Sequence, residues 1–109
     1  MDTKSQRFYR LDTFRNVPAS GRDEFLRRVG MTHELLRAQE GFVRDYLLEQ
    51  PGEGDTSTIV TLAEWESKDV VARVAEAVKA LHEREQFSPH ELISRLGIKA
   101  EFGQYEPVV

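Results

Sequence analysis

The chain has 109 residues, no cysteine and a formal net charge of −4. That length suits one domain spanning 1–109, with a folded core over about 7–106. Its Leu, Ile, Val and Phe content lies above the roughly 20% below which chains tend to stay unfolded. Without cysteine there can be no disulfide scaffold, thiolate nucleophile, Cys-ligated zinc or iron–sulfur centre, and a cytoplasmic location is the expectation. The opening Met1-Asp2-Thr3-Lys4-Ser5-Gln6-Arg7 is polar and leads into no long apolar run, so neither a signal peptide nor an anchor helix is expected. Arg27, Arg28 and Arg37 interleave with Asp23, Glu24, Glu34 and Glu40. No continuous basic face results, and neither nucleic acid nor membrane is expected as a partner.

From Arg7 to Arg15 the aromatic and β-branched residues predict a strand, with Phe8, Arg10, Asp12 and Phe14 on one side and Tyr9, Leu11 and Thr13 on the other. Val17-Pro18 should stop it, since proline offers no ladder donor. From Ala19 to about Gln39, Phe25, Leu26, Val29, His33 and Leu36 recur at spacings of three and four, the pattern of an amphipathic helix. Gly30 weakens that helix without breaking it, and Glu40-Gly41 supplies its stop. A second strand is expected over Phe42 to about Gln50. The Pro51-Gly52-Glu53-Gly54-Asp55 turn leads into an antiparallel third strand over Thr58 to Glu66.

Ser67 is placed to cap the next helix, whose stripe is Val71, Val74, Val78, Leu81 and His82 and which should reach Glu85 or Gln86. Ser88-Pro89-His90-Glu91 predicts a short third helix: a serine cap, proline at the first helical position and glutamate returning to the cap. Gly97 ends it, and Ile98 to Tyr105 alternates as a last strand. The order β-α-β-β-α-α-β is that of a ferredoxin-like split βαβ fold, a four-stranded antiparallel sheet with helices on one face. The second and third strands carry apolar residues at positions of both parities, so the uncovered face calls for a second copy, and a homodimer packed sheet to sheet is expected.

Phe14 followed by Val17-Pro18 and Glu24-Phe25, Leu36-Arg37 leading to Gly41-Phe42, Thr61-Leu62-Ala63-Glu64-Trp65-Glu66 entering a helix, and Leu96-Gly97-Ile98 to Tyr105 stand in an order that resembles the antibiotic biosynthesis monooxygenase family over roughly residues 7 to 106. The resemblance implies a dimeric α+β barrel with a pocket between sheet and helices. It implies a cofactor-independent monooxygenase oxidising a small aromatic, phenolic or quinol-type compound. Fold alone does not select an activity, and three alternatives stand beside it: a non-catalytic dimer binding a small ligand, an isomerase or lyase, and a haem-degrading enzyme.

Oxygenation without metal or flavin requires a substrate anion, hence a base in a dry pocket, and histidine suits that task near neutral pH. His33 and His82 lie on or beside the helix stripes and are the candidate catalytic residues; the competing role is a boundary histidine bonded to a carbonyl or carboxylate. His90, in a first turn, is expected to be exposed. Trp65, at the end of the third strand where the resemblance puts a pocket-lining residue, is a candidate to position the ring through its indole, or else a core residue at the strand–helix corner. Asp12, Phe14 and Tyr46 are further candidates for substrate contact. Arg10 and Asp12 are expected to form an interface ion pair, with a catalytic aspartate as the alternative. Haem degradation in the family resembles this tryptophan joined by an axial histidine in the second or third turn of the next helix, where this chain has Val74, Ala75 and Val78. No cofactor and no metal are expected.

Overall fold

The computed structural model describes residues 6–108; the polar opening discussed above falls largely outside them, as does the final valine. Four strands, β1 (Phe8–Pro18), β2 (Phe42–Pro51), β3 (Thr56–Trp65) and β4 (Lys99–Tyr105), and three helices, α1 (Arg22–Arg37), α2 (Lys68–Arg84) and α3 (Pro89–Leu96), follow in the expected order. The strands form one antiparallel sheet in the order β2-β3-β1-β4. The helices cover one face, giving the ferredoxin-like fold.

Local chemistry accounts for most boundaries. Gly41 (φ +94°) and Gly97 (φ +72°) take the left-handed conformation that follows α1 and α3, which glycine adopts without steric penalty. Ser88 Oγ accepts the Glu91 N–H at 3.1 Å and Pro89 opens α3, as the capping motif predicts. Two expectations need correction. Pro18 ends β1 as expected, but the strand runs past Arg15 to reach it, through a bulge between Phe14 and Val17 with Asn16 left-handed at φ +67°, and a 3-10 turn over Ala19–Gly21 delays α1 to Arg22. Ser67 sits at the start of α2, but its side chain makes no capping hydrogen bond.

The core is divided in two. Phe8, Leu36, Ala63, Trp65, Val70 and Val74 pack at one end; Phe14, Val17, Phe25, Ile59, Leu92 and Ile98 pack at the other. The division is written into three elements at once. Along β1, Arg10 and Asp12 separate Phe8 from Phe14; along β3, Thr61 separates Ile59 from Ala63; along α1, Thr32 and His33 separate Phe25 from Leu36. Register pairs Asp12 with Thr61, so these polar residues form one layer across the molecule. Burial at either end supplies the stabilisation, at roughly 25 cal/mol per Å² of apolar surface, while the layer keeps the two ends from merging.

On the other face Tyr46, Leu48 and Tyr105 are exposed. By register and alternation, Leu11, Val60 and Leu62 lie among them. Among the described residues no helix is long and apolar enough to cross a membrane.

Candidate functional site

The polar layer opens into a cavity with two chambers between sheet and helices. One, of about 230 Å³, is walled mainly by aromatic and aliphatic side chains, including Phe14, Phe25, Phe87, Leu92 and Phe102. The other, of about 270 Å³, lies against Leu36, Ala63, Trp65, Val71, Val74 and Val78. Asp12, Thr32, His33 and Thr61 line both. A ligand occupying either chamber therefore meets the same few polar groups.

His33 is only 6% exposed. Its Nδ1 lies 2.8 Å from Oδ2 of Asp45, and Asp45 also accepts from Arg37: from Nε at 3.1 Å to each oxygen and from a terminal nitrogen at 2.9 Å. His33 and Arg37 stand one turn apart on α1, so both reach the Asp45 carboxylate that β2 presents on the helix side. Burial raises the Asp45 carboxyl, but the hydrogen bonds and charges of Arg37 and His33 outweigh it and hold the group below its usual range. An ionised carboxylate only accepts, so when the ring is neutral its proton belongs on Nδ1 and its lone pair on Nε2. The alternative role weighed for this histidine, bonding to a carboxylate, is thus realised together with a place in the cavity wall.

Asp12 shows the opposite balance. Burial holds its carboxyl above the usual range, against the charge and hydrogen bond of Arg10, the Gly103 N–H and the charge of His33. Arg10 reaches Asp12 at 3.3 Å. The expected ion pair forms, and it lines the cavity on the helix side of the sheet.

The remaining candidates divide between chambers. His82 faces the aromatic chamber, 3.3 Å from Thr32 Oγ1 and edge-on to Phe87 at 5.4 Å between ring centres. Burial and the nearby Arg28 charge push its imidazole below the usual value. Trp65 is 2% exposed, meets Phe42 edge-to-face at 5.5 Å, and lines the other chamber, so its core and wall roles coincide. Phe14 lines the aromatic chamber. Tyr46 does not join them. It pairs with Leu62 on the face away from the helices and is 48% exposed, because β2 alternation after its bulge turns Asp45 rather than Tyr46 toward the cavity. His90 is exposed.

Sequence inspection passed over Asp45, although the His33–Arg37 spacing, a base and a cation on one helix face, was a usable sign of a shared anionic partner. α2 does not place an axial histidine beside Trp65 as the haem reading requires: it presents Val71, Val74, Ala75 and Val78 to the Trp65 chamber, while His82 lines the other one. Among the described residues, no three His, Asp or Glu side chains converge as a metal site.

The structure is similar to several solved proteins. One from Shewanella loihica PV-4 shares 18% identity over 94% of this chain and 95% of its own, with a TM-score of 0.68. SnoaB, a cofactor-independent oxygenase from Streptomyces nogalater, shares 22% over 92% and 91%, with a TM-score of 0.59. A dimeric ferredoxin-like protein from an uncultured marine organism shares 14% over 95% and 97%, with a TM-score of 0.63. At these identities the likeness establishes the fold alone. No curated protein matches the chain by sequence. The sequence model for antibiotic biosynthesis monooxygenases matches residues 8–87, from the first residue of β1 through the end of α2 to Phe87, and so takes in every polar residue of the layer; the chain belongs to that family.

Proposed function

We propose that this protein is a cofactor-independent monooxygenase that oxidises a small phenolic or quinol-type aromatic compound in the cavity between sheet and helices. The observation that carries the proposal is the His33–Asp45 contact of 2.8 Å at the junction of two apolar chambers. Asp45 fixes the ring orientation and tautomer, and Nε2 of His33 takes the proton from the substrate hydroxyl. Trp65 and Phe14 hold the ring. The anion, kept from water, passes an electron to O₂; recombination forms a C–O bond, and loss of water leaves a new carbonyl. For a phenol bearing a ring hydrogen the balance is substrate plus O₂ giving quinone plus water, with the substrate as the only reductant. The apolar chambers favour this step by excluding solvent from the anion.

A second copy covers the face carrying Tyr46, Leu48 and Tyr105, since a contiguous apolar surface of that kind suits a self-complementary interface. The test is oxygen consumption by metal- and flavin-free protein with a panel of hydroquinones and naphthols. The expected result is turnover that His33→Ala abolishes. Saturable binding without oxygen uptake would support a non-catalytic ligand carrier instead, and conversion under strict anaerobiosis would support an isomerase or lyase.

A further inference from the structure

Arg10 projects from β1 into the Trp65 chamber, where the rest of the wall beyond the polar layer is aliphatic or aromatic. Its guanidinium is poorly satisfied. The contact to Asp12 is long at 3.3 Å, and Nε is shut off from solvent with no acceptor within reach among the described residues. The side chain as a whole keeps 34% of its surface accessible and lines the chamber, so a ligand there can offer an acceptor that the protein does not.

We propose that Arg10 recognises a carboxylate on the substrate, which makes the natural ligand an aromatic acid whose ionisable hydroxyl lies at the polar layer and whose carboxylate lies in the Trp65 chamber. This rests on reading the cavity as the substrate pocket. A planar carboxylate matches the guanidinium edge in shape and charge. Trp65 beside it offers a face for the ring.

The test is calorimetric titration with hydroxynaphthoic acids of differing substitution, their methyl esters, which keep the shape and remove the charge, and the parent naphthols. At least one acid should bind about tenfold more tightly than its ester. That advantage should collapse in Arg10→Gln and return in part in Arg10→Lys, with thermal melting to confirm folding. Equal binding of every acid and its ester by the unaltered protein overturns the proposal, as does an advantage that survives in Arg10→Gln. Oxygen uptake is measured separately. An Arg10-dependent preference for acids without uptake supports the carboxylate site and refutes the oxygenase, whereas uptake with no preference for acids does the reverse.

Discussion

Replacing Asp45 by asparagine tests the chemistry at its least redundant point. Asn keeps the size of the side chain but exchanges one acceptor oxygen for an amino group. Arg37 offers only donors, at 3.1 Å and 2.9 Å, so the amide oxygen should turn toward Arg37 and the amino group toward His33. A donor facing Nδ1 requires that nitrogen to be bare, which moves the proton to Nε2 and removes the base. A hydrogen bond to a charged group contributes about 1.5–3 kcal/mol and its neutral replacement about 0.5–1.5 kcal/mol. The Arg37 side chain is half exposed and adds little. The net loss of stability should be about 1–2 kcal/mol, a melting shift of about 5–10 °C for a domain of this size. Turnover should fall about a hundredfold or more, the scale of losing a general base.

Oxygen consumption and thermal denaturation at neutral pH measure the two effects, with Arg37→Gln as a control that leaves the tautomer intact and costs less than about 1 kcal/mol. The stability gap should also depend on pH. The Asp45 carboxyl in the folded protein lies below its ordinary value of 3.8, so its stabilisation is complete above that value and disappears as pH falls through the lower one. The gap between native protein and variant therefore closes in acid. A folded Asp45→Asn protein that consumes oxygen at the native rate would refute the assignment of Nε2 as proton acceptor.

The remaining expectations concern other parts of the molecule. His82 is held below its ordinary 6.5 by burial and Arg28, so the fold favours its neutral form and loses stability as pH falls through and below that value; His82→Gln should flatten the decline, as followed by denaturant titrations from pH 7 to pH 5. Gly41→Ala should cost about 1–3 kcal/mol in the same titration, since φ is +94° and a Cβ there would lie 2.7 Å from Val70 Cγ2. Leu48→Asp should convert a dimer into a protomer with unchanged circular dichroism, as read by sedimentation at micromolar concentration; a native protein that already sediments as a protomer removes the proposed interface.

The order of elements was legible because hydrophobic period, glycine stops and the Ser88 cap act over a few residues. The β1 bulge was less so: Phe14 and Val17 differ in parity, yet both are buried, which demands an extra residue that single-strand alternation does not display. His33, His82, Trp65, Asp12 and Phe14 reach the cavity because periodicity orients them toward the helix–sheet interior. Tyr46 was misplaced and Asp45 overlooked for one shared reason. The β2 bulge between Phe42 and Arg44 sets which residues of that edge strand face α1, and such a slip depends on pairing with β3.

The left-handed Asn16 has a reach beyond its own backbone. Its side-chain amide donates to the carbonyl of Gly97 at 3.1 Å, where α3 gives way to β4, so the kink in the first strand moors the end of the helix that carries Leu92 and Ile93 over the aromatic chamber. The depth of that chamber is thereby tied to a surface residue that borders neither compartment. Exchanges at position 16 offer a lineage a means of reshaping the space offered to its ligand while every wall residue stays the same.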